Sequence, residues 1–184
     1  MAKKYFWKHL MSSDYDGSKL VKGRFYANNA PAEVHDGAIV VVGGLEDHAV
    51  YTGMKDLDTR KITAPTAVTD SVAIVDLVNV SEGQIMGELY REGIKTVGLV
   101  APAGRVVRVR KLAVGDTFFL ATGNFIGTPE VGAYAIPTAN STLLTIDDEA
   151  TSGALALVLE VALPLTEGTV NTDTKYLCRV EQIA

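Results

Sequence analysis

Three histidines (His9, His35 and His48) and a single cysteine, Cys178, are the side chains of this 184-residue chain best suited to proton transfer, nucleophilic attack or metal binding. Their spacing works against all three. No histidine pair forms an HxH, HExxH or HxxxH arrangement, so local sequence builds no ligand set. His35 beside Asp36 and His48 beside Asp47 could serve as base and orienter, but adjacent strand residues point to opposite faces. Both are read as solvated loop residues. Cys178 alternates with Tyr176 and Val180 and has neither a cysteine partner nor a cationic cluster close in sequence. The pattern expects a small core side chain.

Larger motifs are missing too. The sequence holds no GxSxG elbow, no P-loop lysine, and no GxGxxG opening a helix. Gly43-Gly44 follows an apolar run but lacks a third glycine and the amphipathic helix whose N-terminus would bind phosphate. Asp147-Asp148-Glu149 lacks calcium-loop spacing and reads as a solvated turn. The expectation is a non-enzymatic protein with no catalytic residue, metal or cofactor.

The segment Arg105 to Lys111 carries more information. On a strand, Val107 and Val109 point one way and Arg108 and Arg110 the other, which sets two guanidinium groups about 7 Å apart. Such like charges require carboxylates on a neighbouring strand or an anionic partner surface. Charge is uneven along the chain as well: the total is -5, but residues 1–24 carry +4 and the remainder -9. The basic start is either an arm on an acidic body or a strand with lysines on its exposed face. Lys3, Lys4, Lys8, Arg108 and Arg110 are therefore the candidate partner contacts. The acidic total argues against direct nucleic-acid binding.

The elements that would position these residues read as strands. Ala38 to Val42 is a continuous apolar run that suits a strand covered on both faces, and Val72 to Val80 has strand character. Thr96 to Val100, Val106 to Arg110, Thr117 to Ala121 and Val131 to Ile136 alternate with Gly, Pro and Asn turns, and Tyr176 to Ile183 closes the series. In the run from Ala154 to Leu163, residues Leu155, Leu157, Leu159, Val161 and Leu163 are expected on one core face. Leu45 to Lys61 reads as a long loop, and Ser81 to Tyr90 as the best site for a helical turn. The predicted class is mainly β, an antiparallel barrel or sandwich with long loops and little helix. Residues 1–32 are expected to form an N-terminal arm or hairpin, and residues 33–184 a single β-rich body. No apolar run reaches the ~20 residues of a membrane span, and the start lacks the apolar region of a signal peptide, so a cytosolic protein is expected.

Three phrases resemble a known group. RKITAPTAVTDSVAIVDLVNVSEG (Arg60 to Gly83), YREGIKTVGLVAPAGRVVRVRKLAVGDTFFLATGNF (Tyr90 to Phe125) and VGAYAIPTANSTLLT (Val131 to Thr145) resemble small head-assembly proteins of tailed bacteriophages. The similarity is to capsid decoration, cement or head-fibre-like proteins. It implies a virion component, assembled in the host cytoplasm, that binds the outer lattice of the major capsid protein. Homo-oligomerisation is implied too, with a trimer favoured for threefold lattice positions. Two other readings remain open: a tail-tube or head-tail connector subunit, and a carbohydrate- or receptor-binding β-module using Trp7, Tyr15, Tyr26 and Tyr51.

Overall fold

The computed structural model describes residues 2–46, 58–77, 98–167 and 170–183. The chain is mainly β. Its first strands are β1 (Phe6–Leu10), β2 (Leu20–Ala27), β3 (Ala30–Pro31), β4 (Val34–His35), β5 (Ile39–Leu45), β6 (Arg60–Thr63) and β7 (Val72–Asp76). There follow β8 (Val100–Ala101), β9 (Val106–Lys111), β10 (Thr117–Ala121), β11 (Phe125–Ile126), β12 (Tyr134–Pro137) and β13 (Leu144–Asp147). The last pair are long, β14 (Ala156–Glu167) and β15 (Val170–Gln182). Short 3-10 turns at Ser12–Asp14, Gly17–Lys19 and Thr122–Asn124 join some of them. The long loop expected over Leu45 to Lys61 gives up its ends to β5 and β6, residues 47–57 lying outside the described residues. So do the helical turn expected over Ser81 to Tyr90 and residues 96–97 of the strand expected to begin at Thr96.

Five strands close into a barrel. β2 pairs in parallel with β6, β6 runs antiparallel to β5, β5 to β7, β7 to β9, and β9 returns to β2. Phe25, Val40, Ile62, Ala73, Val75, Val107 and Val109 fill the interior. Gly23 sits where the wall is tightest: a Cβ there would lie 2.8 Å from the Ile62 side chain and 3.1 Å from Val109. Close approach of β2 to its neighbours thus demands glycine. The β2–β3 hairpin turns on Asn28 and Asn29 with φ of 51° and 62°, the left-handed geometry that asparagine tolerates best after glycine.

A seven-stranded sheet, in the order β1-β10-β15-β14-β12-β13-β11, packs on the barrel. Alternation along β5 and β7 makes this possible. Val40 and Ala73 face into the barrel, while the cross-strand pair Ile39 and Ile74 faces out and joins Phe6, Phe118, Leu120, Leu157, Leu159 and Cys178 in a second core. Both faces of Ala38 to Val40 are therefore covered, which is why that stretch contains no polar residue.

Of the arm or hairpin expected over residues 1–32, the hairpin is present as β2–β3, while β1 is an edge of the seven-stranded sheet with Phe6 fully buried and β2 is a barrel stave. Burial of Phe6, Met11 and Phe25 ties this segment to both cores. The single core face expected from Leu155 to Leu163 is interrupted. Leu159 pairs with Cys178 but Val161 with Leu177, so Glu160 is the extra residue of a β-bulge. Beyond it the alternation of burial stops: Leu155, Leu157 and Leu159 are buried, whereas residues 160–164 are all exposed, Val161 and Leu163 to 41% and 39%.

Candidate functional site

Three of the five basic candidates meet in one chain of charges. Lys8 Nζ reaches Asp14 Oδ1 at 3.2 Å, Arg110 Nη1 reaches the same oxygen at 2.9 Å, Arg110 Nε donates to Asp76 Oδ2 at 2.7 Å, and Arg108 Nη2 donates to that oxygen at 2.5 Å. The β7–β9 register produces it by setting Arg108 opposite Asp76 and Arg110 opposite Ile74. Burial works to raise the Asp14 pKa, but hydrogen bonds from Lys8 and Arg110 hold it below the ordinary carboxylate value.

Arg110 is thereby corrected as a contact candidate. It is 2% exposed, and the Nη1 that meets Asp14 also donates to Ser13 Oγ at 2.8 Å. Its carboxylate partners lie on β7 and in the turn after β1, so the guanidinium is consumed inside the fold. Arg108 differs, its side chain being 40% exposed over Asp76. Lys3 and Lys4 are placed elsewhere: the Lys3 backbone N–H donates to Asp173 at 2.9 Å, and half-buried Lys4 borders a recess of about 350 Å³ with Glu33 and His35. Burial pushes the Lys4 pKa down.

His35 is not a solvated loop residue. It lies half-buried in β4, with Nδ1 3.1 Å from the Asp36 carbonyl and Nε2 2.9 Å from Thr142 Oγ1. The carbonyl can only accept, so Nδ1 carries the proton and Nε2 accepts from the threonine. Burial drives the imidazole pKa down to about 4, with Lys4 adding to the effect. Asp36 itself is fully buried; its carboxylate accepts from the Phe6 and Leu77 backbone N–H groups, each at 2.9 Å. Asn124 completes the knot by accepting from the Tyr5 N–H at 2.8 Å and donating to the Asp36 carbonyl at 3.0 Å. These groups lock β1, the barrel and the turn after β10 together. His48 lies outside the described residues.

Other reactive side chains are also spent structurally. Cys178 is wholly buried and its thiol pKa is pushed up by desolvation. Arg24 donates to Glu46 and to the Gly104 carbonyl at 2.7 Å, and the Tyr26 hydroxyl also donates to Glu46, all three side chains being buried. Tyr26 is thus no stacking platform. Tyr15 is 85% exposed, Trp7 is half-buried, and Tyr51 lies outside the described residues.

A different surface stands out on the face of the seven-stranded sheet turned away from the barrel. Register sets Trp7 opposite Phe119, Phe119 opposite Leu177, and Leu177 opposite Val161, an apolar rung across four strands. Leu163 extends it on β14, and Lys175 lies over the Phe119 ring at 5.0 Å. The sequence reading missed its Val161 end because the bulge at Glu160 puts that residue opposite Leu177. The signal lay in Trp7 and Phe119, whose alternation with buried Phe6 and Phe118 puts them on an outer face. Asp76 was missed too, though it occupies the same strand face as Val72 and Ile74, where a lone carboxylate demands a cation.

Comparison with protein-family models, curated proteins and solved structures gave no match.

Proposed function

We propose that this chain is a virion structural protein that binds the outer surface of a tailed-phage capsid and stabilises it. The observation that carries the reading is the Trp7–Phe119–Leu177–Val161 rung, an apolar strip on the open face of a sheet anchored to a closed barrel. The resemblance of Arg60 to Gly83, Tyr90 to Phe125 and Val131 to Thr145 to phage head proteins supports it. A cement protein must bury surface across the joints between capsid subunits, and a rigid body presenting aromatic and aliphatic side chains suits that task. Repetition on a symmetric shell turns modest single contacts into strong attachment, and a trimer would match threefold positions.

The test is co-sedimentation of the purified protein with expanded capsids of the phage that encodes it, together with the temperature at which those capsids disrupt. Binding that raises the disruption temperature, and its loss in a Val161→Lys, Leu163→Glu variant of unchanged fold, is the expected outcome. No attachment to any capsid form would overturn the proposal.

A second reading draws on the β14–β15 hairpin, whose strands of 12 and 13 residues are the longest among the described residues. A tail-tube or connector subunit could use such a hairpin between copies in a ring, and spontaneous hexameric rings in solution would favour it.

A further inference from the structure

The barrel offers a surface that the capsid reading does not use. A groove of about 680 Å³ opens along β2 and β9, and among the described residues Lys22, Arg60, Arg108 and Lys111 line it together with the carboxylate of Asp58. Lys22 and Arg108 are direct cross-strand partners, an arrangement of like charges that costs stability unless an anion answers it. Asp76 answers Arg108 from beneath. Lys22 reaches Asp58 at 3.3 Å with side chains 52% and 67% exposed, a solvent-screened pair that a better anion can displace. Arg60 donates to the Gly43 carbonyl at 3.2 Å and has no ion-pair partner among the described residues. Lys111 has no ion-pair partner among the described residues. A recess of about 450 Å³ shares Arg60 and Lys111 with the groove and adds Asp70.

Charge and apolar surface together select the ligand. Leu20 and Leu45, 38% and 57% exposed, line the same groove, so its occupant must bring aliphatic contact as well as carboxylates. Nucleic acid fits poorly: it offers a dense phosphate row without the aliphatic side chains that Leu20 and Leu45 would contact. We propose that the groove binds an acidic segment of a partner protein, an extended stretch in which Asp or Glu is interspersed with aliphatic residues. Its carboxylates would meet Arg108 and Lys22 at one end and Arg60 and Lys111 at the other.

Fluorescence anisotropy with a short labelled peptide of repeating Asp-Glu-Leu tests the proposal on the intact chain. Expected is saturable binding that weakens with salt and falls by about tenfold in an Arg108→Glu, Lys111→Glu variant, two exposed charge contacts and their reversal being sufficient for that. A Lys3→Glu, Lys175→Glu variant makes the same charge change outside the groove lining and should bind as the parent does. Because Arg108 also holds Asp76, a Lys22→Gln, Lys111→Gln variant with Arg108 intact must show weakened binding as well. Equal binding by all variants, absence of peptide binding, or preference for a labelled oligonucleotide at physiological salt would each overturn the assignment. Capsid attachment is a separate measurement, so either proposal can fail without the other.

Discussion

Arg110 Nε and Asp76 Oδ2 lie 2.7 Å apart inside the fold, the arginine 2% and the aspartate 5% exposed. Their pairing turns what would be two repelling guanidiniums on β9 into a shared grip on one carboxylate, since Arg108 donates to the same oxygen. Removing that carboxylate's charge leaves Arg110 buried without its main counter-ion. Asp76→Asn should cost about 3–5 kcal/mol in urea unfolding, with Asp76→Asn plus Arg110→Met costing less than the sum of the two single changes. Additive effects would mean that the pair is not coupled.

The barrel wall makes a prediction of its own. Gly23→Ala drives a methyl to within 2.8 Å of Ile62 and should destabilise by about 1–3 kcal/mol. Gly44→Ala, on β5 with open space around the new Cβ, should change stability by less than about 0.5 kcal/mol. Thermal denaturation of the two variants side by side decides it.

His35 sets a pH dependence. Its folded pKa, near 4, lies below the 6.5 of the exposed imidazole, so the unfolded chain binds the extra proton first. Stability from this residue is therefore complete above about pH 6.5 and is lost as pH falls toward 4, a change of about 3 kcal/mol. A His35→Gln variant should lose that part of the slope, while carboxylates titrating in the same range cancel in the comparison. Parallel stability-pH curves for the two proteins would count against a buried neutral histidine.

Cys178 should be inert in the folded protein. With the thiol wholly buried, Ellman's reagent should react only at the rate of unfolding, and fully once denaturant is added. Rapid modification under native conditions would place the side chain at the surface.

Local pattern carried much of this architecture. The unbroken apolar run Ala38 to Val42 announces a strand covered on both faces, and Asn28-Asn29 announces the hairpin that follows β2. The features that escaped are those created by distant residues. The sequence calls for a carboxylate on a strand beside Arg108 and Arg110 but does not name Asp76 until register brings it there, and it allows β1 to be an exposed-lysine strand without showing that Asp36 caps the Phe6 N–H across the fold. The exposure of Val161 was illegible for a related reason: a bulge depends on how the partner strand is paired, and alternation alone continues the core stripe straight through Glu160. Among the candidate contacts, Arg108 and Lys8 kept exposed positions while Arg110 did not, because burial follows the neighbouring strand and not the residue type.

Closure of the barrel has a consequence for the growing chain. The ladder from Leu20 to Arg110 joins the second strand made to the ninth, so β2 cannot acquire one of its three hydrogen-bonding neighbours until β9 has left the ribosome. At about 5–20 residues per second that is a wait of several seconds, during which Phe25 and its neighbours have no completed interior to enter. Early chaperone engagement and late, abrupt acquisition of protease resistance during synthesis follow from the ring itself.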